Sequence, residues 1–369
     1  MAIAGSGAVS LSDFRTEFVG GSAAISLGDL YRGGSNIRAK AANNNATNLA
    51  AGVPTSGAIA FDDFYGTAKG FRKTYSSGAT NQDASSIFGD DYGVDYPKEI
   101  VINSGVELGA TSTSQEALQI DSGLSGTMTI TNNGTLSGAG GAAGSSGGDA
   151  FQADVACTLI NNGTIRGGGG GGGSGGTGGQ GRTSSTGPGA WSSYQYDGTT
   201  AYGQYMNQLY VTTGYWFWNG HLGYSSNTNT STTSNTVGSY QYQRGTLQAS
   251  GTASGYAYYN YSIRRRQSSV TTYTYYNGGS GGSGGVGQGY NQSAGSGSSG
   301  SSGGSNAGNG GSGGSGGSFG SSGSAGNTGA NGNYTNGTGG TNGGAAGKYI
   351  IGQSNVTFTN NGTVQGGIS

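Results

Sequence analysis

At residues 308–332 the sequence reads GNGGSGGSGGSFGSSGSAGNTGANG, with glycine at every third position. A repeat of three residues matches the polyproline II helix, which has three residues per turn and no internal hydrogen bonds. Glycine along one edge of such a helix lets a second backbone approach closely, because no side chain stands between them. The stretch therefore predicts a glycine helix that packs against neighbours.

Two other structures share this composition. Collagen needs proline to preset its backbone, and none of Pro54, Pro97 and Pro188 lies in the stretch. A flexible Gly/Ser linker needs no fixed phase. Glycine nevertheless recurs every third position in further runs that begin at residues 138, 169, 278, 297 and 337. We therefore expect a bundle of polyglycine II helices that hydrogen-bond side by side.

The length of the stretch predicts that it folds back. At about 3.1 Å per residue an unbroken helix over 308–332 would be roughly 75 Å long. Phe319 and the Asn331–Gly332 pair are the expected breaks. A glycine bundle buries little apolar area, so its ends must be held by a part of the chain that has a hydrophobic core.

Composition and charge exclude several classes of protein. The chain has 369 residues, 84 glycines, 8% charged residues and a formal net charge of −1, which gives no electrostatic attraction to nucleic acid or anionic membranes. Cys157 is the single cysteine, so no intrachain disulfide forms and no Cys/His cluster holds zinc. We expect no metal, no cofactor and no membrane insertion. The first residues, MAIAGSGAVS, lack the features of a signal peptide.

A repeat occupies the first 66 residues. The copies are SGAVSLSDF (6–14), SAAISLGDL (22–30) and SGAIAFDDF (56–64). Ser10 with Asp13 and Ser26 with Asp29 have the spacing of an N-terminal helix cap, whereas the third copy has Ala60 at the cap. We expect residues 1–66 to form a small docking module with short helices.

A second repeat reads TITNNGTLSG (129–138), TLINNGTIRG (158–167) and TFTNNGTVQG (357–366). Each copy predicts a strand, a tight turn with glycine or asparagine at positive φ, and a second strand. The third copy lies near the end of the chain, so we expect residues 348–369 to return and pair with a β-rich base over 67–166. The residues between would then be an excursion from that base.

The middle of the excursion is aromatic. Glycine-rich segments at 167–188 and 277–347 flank residues 189–276, and residues 191–276 contain all three tryptophans and sixteen of the twenty-four tyrosines. Rigid rings among Ser, Gly and Asn are typical of a paratope. Part of them would form the core of an antiparallel β insertion, because Tyr240-Gln-Tyr242 and Tyr273-Thr-Tyr275 alternate as half-buried strands do. The side chains expected to face out and bind are Tyr210, Tyr215, Trp216, Phe217, Trp218, Tyr258, Tyr259, Tyr261, Arg264 and Arg265.

Signals for catalysis are weak. His221 is the single histidine and has no serine or cysteine motif beside it. The segment GDDYGVD (89–95) offers carboxylates but lacks the ligand spacing of a calcium loop. We expect no enzymatic activity.

The glycine runs and the aromatic segment carry a resemblance. Glycine runs in a three-residue phase, interrupted by aromatic segments and following a β-rich base, resemble the tail-fibre tip adhesins of T-even-type bacteriophages over about 138–347. The N-terminal repeats and NNGTIRGGGGGGG (161–173) are also similar to elements of phage tail and fibre proteins. The resemblance implies a sandwich of polyglycine II helices with receptor-binding loops at its end.

The expected fold is mainly β and irregular: a docking module with short helices, a β-strand base and a polyglycine II bundle with an aromatic-rich insertion. The expected function is a virion tail-fibre adhesin that binds a host receptor, either a glycan or an outer-membrane protein. It would attach to other tail or fibre proteins through residues 1–66, as a homotrimer or as a monomer capping a trimeric fibre. It would be made in the host cytoplasm. The alternatives are a structural tail protein without receptor contact and a glycine-helix ice-binding protein.

Overall fold

The computed structural model describes residues 2–193, 223–224, 234–237, 239–253 and 256–369. The chain divides into two compact units. The first comprises Met1–Gly181 and Tyr276–Ser369, and the second is Arg182–Tyr275. The first unit contains an N-terminal module, a parallel β-solenoid and a glycine bundle.

The described strands are short except for one hairpin. In chain order they are β1 (Thr47–Asn48), β2 (Phe71–Tyr75), β3 (Ala79–Thr80), β4 (Gln82–Asp83), β5 (Lys98–Ile102), β6 (Glu107–Gly109), β7 (Leu118–Ile120), β8 (Met128–Asn132), β9 (Thr135–Ser137), β10 (Phe151–Ala153), β11 (Cys157–Asn161), β12 (Thr164–Arg166), β13 (Gly181–Gly187), β14 (Gly223–Tyr224), β15 (Ser234–Val237), β16 (Tyr240–Ala253), β17 (Tyr256–Gln267), β18 (Val270–Tyr276), β19 (Lys348–Ile350), β20 (Val356–Asn360), β21 (Thr363–Gln365) and β22 (Gly367–Ile368). The helices are α1 (Leu11–Phe14), which continues as a π-helical turn at Arg15–Val19, α2 (Ala84–Phe88), and 3-10 turns at Leu27–Leu30, Phe61–Phe64, Gly89–Asp91 and Gln353–Asn355.

The helices of the N-terminal module begin at the repeated motifs, as the sequence predicts. The backbone N–H of Ser10 donates to Asp13 Oδ2 at 2.7 Å, and Ser26 and Asp29 form the same cap at 2.8 Å. In the third copy the N–H of Ala60 donates to Asp63 Oδ2 at 2.8 Å. The aspartate alone therefore makes this cap bond where no serine is present.

The last hydrophobic residue of each motif forms the core of the module. Phe14, Leu30 and Phe64 are fully buried, and the rings of Phe14 and Phe64 stack with centroids 4.3 Å apart. The residues at the first helical position of two motifs stay at the surface, since Leu11 is 36% and Phe61 37% exposed. The module thus has its own core and exposes two apolar side chains at equivalent positions.

From Phe71 the chain winds as a parallel β-solenoid with three faces. The first face has the strand order β2-β5-β8-β11-β20, the second β3-β6-β9-β12-β21, and the third β4-β7-β10. All pairs among these strands are parallel. Strand β1 extends the first sheet beyond β2 and is antiparallel to it. Ile351 bridges to Gln152 of β10, and β19 pairs with β22, so the third face continues into the last coils.

Stacked apolar side chains fill the solenoid. Alternate residues of β5, β8 and β11 are buried, and Ile100, Ile130 and Leu159 lie in register, each with no exposed surface. Strand β20 extends this row with Phe358. The predicted return of the C-terminal strand is confirmed, because β20 pairs with β11 although the two lie far apart in sequence.

The Asn-Asn-Gly-Thr repeats form the corner between the first two faces, but the predicted positive φ is wrong. Gly134, Gly163 and Gly362 do not have φ in the left-handed region. A Cβ on Gly163 would instead overlap the carbonyl oxygen of Gly134 in the preceding coil, and a Cβ on Gly362 would overlap that of Gly163. Glycine is required there because successive coils stack with their backbones in contact.

The asparagines of these repeats form ladders. Asn132 Nδ2 donates to Asn161 Oδ1 at 2.8 Å, and Asn161 Nδ2 donates to Asn360 Oδ1 at 2.7 Å. Asn132 and Asn161 are fully buried, so these bonds satisfy amides that water does not reach. The ladders fix the register of the coils, since a slip of one residue would leave the amides unpaired.

The glycine runs form the predicted bundle. Extended segments lie at 138–143, 145–148, 167–180, 278–288, 295–303, 308–318, 321–332 and 335–347, and their backbone hydrogen bonds go to neighbouring segments in steps of three residues. For example, the N–H groups of Gly311, Gly314 and Gly317 donate at 2.8 Å to residues 176, 173 and 170. This repeat is that of polyglycine II.

One segment, 167–180, lies at the centre of the bundle and bonds to all of the others except 295–303. A Cβ on Gly170, Gly171 or Gly172 would overlap a carbonyl oxygen of a different neighbour in each case. All three phases must therefore be glycine, which explains the uninterrupted run at 167–173. The phase that begins at residue 169 predicts a single contact edge, whereas the structure has contacts along three.

The central segment 167–180 carries side chains beyond the point where the neighbouring segment 145–148 ends. Segment 145–148 is short, and beyond it Ser174, Thr177 and Gln180 are exposed. Their backbone N–H groups donate to side-chain hydroxyls of segment 335–347 at 2.7–2.8 Å. Threonine hydroxyls thus replace the backbone acceptors of the missing neighbour.

The long stretch folds back as predicted. The chain turns at Phe319–Gly320, where Gly320 has φ +68°, and turns again immediately after Gly332. The first turn is anchored to the solenoid, because the Arg166 guanidinium lies 3.7 Å from the Phe319 ring centroid and Arg166 Nη2 contacts Glu107 Oε1 at 2.9 Å. This stack fastens the bundle to a part of the chain with a hydrophobic core.

Carboxyl groups line up where the third face ends. Asp83 ends β4, Asp121 follows β7 and Asp154 follows β10. Burial, the hydrogen bond to Asp83 and the charge of Asp83 raise the pKa of Asp121 to about 6. Burial opposes ionisation of Asp83 too, but hydrogen bonds from Asp121, Ser85 and Ser86 outweigh it and lower the pKa of Asp83. The two carboxyl groups therefore share one proton below about pH 6.

We expect Gly314→Ala to lower the free energy of unfolding by about 2–4 kcal/mol, because a Cβ there overlaps the carbonyl oxygen of Ser324 and separates two segments. Ser315→Ala is the matched control: its side chain is exposed, and the change should stay within about 0.5 kcal/mol. Thermal and denaturant unfolding measure both. Equal, small effects would identify the run as a tether.

We expect Asp121→Asn to raise the melting temperature at about pH 7.5 and not at about pH 4. The folded pKa of Asp121 lies above its unfolded value, so its stabilising contribution is present below about pH 4 and is lost as the pH rises through about 6. Asparagine mimics the protonated form at every pH. An Asp121→Asn effect independent of pH would contradict the shared proton.

Candidate functional site

The structure describes only some of the residues that are expected to bind the receptor. Tyr210, Tyr215, Trp216, Phe217 and Trp218 lie outside the described residues and stay predictions. The backbone of Tyr258, Tyr259 and Tyr261 is described, on strand β17, together with the side chains of Arg264 and Arg265. The binding role of each of these residues remains a prediction.

The second unit is built on antiparallel strands, as the alternation of Tyr240 and Tyr242 predicts. Strands β16 and β17 form a long hairpin, with β15 beside β16 and β14 beside β17. The hairpin register shifts between Arg244 and Leu247 and again between Leu247 and Ala249, which indicates a bulge. A separate two-stranded ribbon pairs β13 with β18.

The ribbon exposes tyrosine rings. Tyr273 and Tyr275 alternate along β18 and are 50% and 51% exposed. Arg182 on β13 holds its guanidinium 4.4 Å from the Tyr273 ring centroid. The ribbon therefore presents aromatic rings and a cation on its surface.

Three consecutive arginines on β17 divide between the two faces of the sheet. The guanidiniums of Arg264 and Arg266 lie 4.9 and 4.5 Å from the Trp191 ring, whereas that of Arg265 lies 4.4 Å from the Tyr240 ring. The alternation follows from the two-residue period of a strand. The expected site residue Arg264 is thus brought together with Trp191 and Arg266, and Arg265 belongs to the opposite face.

The arginine side chains are held by the neighbouring strand. Arg264 Nη2 donates to Gln243 Oε1 at 2.6 Å, and Arg266 Nε donates to Gln241 Oε1 at 2.7 Å. Sequence analysis missed Trp191 and the two glutamines. The alternation Gln241-Tyr242-Gln243 matches the alternation of Arg264, Arg265 and Arg266. This match pairs each glutamine with an arginine only when the hairpin register is known.

The bundle has a second set of exposed residues at the end that lies away from the solenoid. Its turns there are at residues 304–307 and 331–336, joined by a bond from Asn333 N to Asn306 O at 3.0 Å. Tyr334 is 47% exposed, and Asn306 has φ +57°. At this end the chain leaves the bundle at Gly181 and re-enters at Tyr276. The sequence signal for these turns is the interruption of serine and glycine by Asn and Tyr.

Within the described residues, nothing points to catalysis or metal binding. Among the side chains that the structure describes, no group of three His, Cys, Asp or Glu could hold a metal ion. In GDDYGVD the carboxylate of Asp91 is buried and structural: it accepts from Arg38 Nε, Ala41 N and Asn44 Nδ2 at 2.8–2.9 Å. Burial raises the pKa of the Cys157 thiol to about 11. In the part of the chain that is described, no helix has the length and apolar character needed to cross a membrane.

The chain is similar to known proteins at two levels, a family model and a solved structure. A family model described as Phage tail fibre adhesin Gp38 matches residues 70–273, which cover much of the solenoid and almost all of the second unit. Among solved structures, the crystal structure of the gp37-gp38 adhesin tip complex of the bacteriophage S16 long tail fiber is similar, with 15% sequence identity and a TM-score of 0.35. The alignment covers 85% of this chain and 88% of that chain. None of the curated proteins matches this chain.

Proposed function

The chain belongs to the Gp38 family of phage tail fibre adhesins, whose model matches more than half of it, and we propose that residues 189–276 contact the host receptor. The protein is accordingly a receptor-binding adhesin of the virion tail. The finer assignment, which segment touches the receptor and which attaches to the fibre, is our proposal.

The observation that carries the proposal is the separation of the aromatic segment from the rest of the chain. Residues 182–275 form a compact unit of their own, and the stretch 191–276 has all three tryptophans and sixteen of the twenty-four tyrosines. Rings such as Tyr273 and Tyr275 are half exposed, which suits contact with a partner surface. The receptor would be a surface glycan or an outer-membrane protein.

The glycine bundle supports this division of roles. Its segments 277–347 contain no charged residue and expose chiefly serine and glycine, so they offer few anchors for recognition. Their many backbone hydrogen bonds make them suited to act as a stiff support.

We propose that the N-terminal module attaches the chain to other tail or fibre proteins. Leu11 and Phe61 stand at the same position of two repeated motifs and are both exposed. Repeated, exposed apolar residues on a module with its own core suit a protein interface. The assembly would be a homotrimer or a monomer that caps a trimeric fibre.

We expect exchange of residues 189–276 for the matching segment of a family member with another host to transfer host range. Adsorption of the recombinant phage to both hosts measures the effect. Exchange of 308–332 alone is the control and should leave host range unchanged. If host range stays with the original chain after the first exchange, the receptor contact lies elsewhere.

We expect Leu11→Asp to reduce incorporation of the adhesin into virions at least tenfold, because a buried interface excludes an unpaired charge (about 2 kcal/mol or more). An acidic residue at the first helical position is compatible with folding of α1. Val286→Asp is the control, since Val286 is equally exposed, at 39%, on the glycine bundle. Normal incorporation of the Leu11→Asp chain would argue against attachment through this surface.

A further inference from the structure

Charge is divided unequally along the chain. Residues 182–275 contain five arginines and one aspartate, so their formal net charge is +4 with His221 neutral. The whole chain carries −1, so the remaining residues carry −5. The near-neutral total therefore conceals a cationic second unit, whose charge favours the binding of anions.

Two of these arginines share one aromatic ring. The guanidiniums of Arg264 and Arg266 lie 4.9 and 4.5 Å from the ring of Trp191, and each is half-buried. Ser192 fixes the tryptophan segment beside β17: its N–H donates to Arg265 O at 2.8 Å, and its Oγ accepts from Arg265 N at 3.0 Å. Trp191 is thus held in place by backbone bonds.

The guanidinium planes are also oriented. Gln243 Oε1 accepts from both Nε and Nη2 of Arg264, at 2.9 and 2.6 Å, and Gln241 Oε1 accepts from Arg266 Nε. Glutamine is neutral, so these bonds position the arginines without cancelling their charge. Two oriented cations two residues apart on one strand, about 7 Å, can both reach one phosphate or carboxylate.

We propose that Arg264, Arg266 and Trp191 bind a negatively charged sugar of the host surface, meaning a carbohydrate that carries phosphate or carboxylate groups. This rests on the proposed function, since it names the ligand class for the same segment. The anion lies between the two guanidiniums, and the indole contacts the apolar face of the sugar ring. The amide nitrogens of Gln241 and Gln243, which the bonds to arginine do not use, donate to sugar hydroxyls.

A sugar fits this cluster better than an acidic protein loop does. A planar indole beside cations gives an apolar ring face next to hydrogen-bond donors, and a sugar ring has the same combination of an apolar face and polar edges. An acidic loop would require the charges but not the ring or the amides. It is therefore the competing outcome of the test.

The test uses the full chain and lipopolysaccharide purified from the host, immobilised in three forms: native, dephosphorylated and carboxyl-reduced. Binding should fall at least about tenfold in one of the two modified forms, which identifies phosphate or carboxylate as the anion. It should also weaken steeply with salt. No binding to native lipopolysaccharide, or equal binding to all three forms, would overturn the proposal.

Variants give the second arm. Arg266→Gln should weaken binding to native lipopolysaccharide about tenfold, whereas Arg72→Gln, which removes the same charge from the exposed surface of the solenoid, should change it less than about twofold. Thermal unfolding checks that both variants fold. If the Arg266→Gln chain does not fold, the comparison of the three lipopolysaccharide forms tests the proposal. Equal effects of the two variants would overturn the site.

The two proposals fail separately. If the chain binds host outer-membrane protein free of lipopolysaccharide through Arg266, the ligand is an acidic protein surface and the sugar proposal is wrong. If exchange of 189–276 still transfers host range in that case, the proposed function stands.

Discussion

The close contact of one backbone with another is the constraint on which the first unit depends. In the bundle, a carbonyl oxygen of one segment occupies the space that a Cβ on the neighbouring segment would fill. At the corner of the solenoid, the same holds between successive coils. Gly163 stacks on Gly134 for the same reason that Gly314 stacks on Ser324, although one lies in a β-solenoid and the other in a glycine helix. The hydrogen bonds that result are individually weak, about 1 kcal/mol net, and glycine loses the most conformational entropy on ordering. The bundle therefore needs the anchored ends that the solenoid supplies through Arg166 and Phe319.

This constraint explains which features were readable in the sequence. The three-residue phase of 308–332 predicts the bundle, because each glycine of that phase contacts the backbone of one neighbouring segment. The length of the stretch predicts that it folds back. The capping motifs predict the short helices of the N-terminal module, because Ser10 and Asp13 bond locally. In each case the partner is close in sequence or the pattern is periodic.

Most features that depend on distant partners were not readable. The parallel solenoid pairs strands roughly thirty residues apart, so no local pattern distinguishes it from a series of hairpins. The return of β20 to β11 was readable because its strand repeats the motif of the earlier ones. The Asn-Asn-Gly motif was interpreted as a turn with positive φ, whereas its glycine is required by the coil beneath it. The pairing of Arg264 with Gln243 depends on the register of a bulged hairpin. Trp191 reaches the arginines because residues 191–193 run beside β17, which composition does not reveal.

The three-residue phase also limits how the gene for such a protein changes. Insertion or loss of one or two codons within 308–318 would shift every later side chain of that segment to another edge of the helix. At that edge a carbonyl oxygen of a neighbouring segment leaves no room for a side chain. Changes of three codons keep the phase, and changes at the turns near Asn306 and Tyr334, or within 182–275, do not touch it. The packing of the glycine segments therefore restricts changes of length within 308–318, whereas the turns and residues 182–275 are free of that restriction.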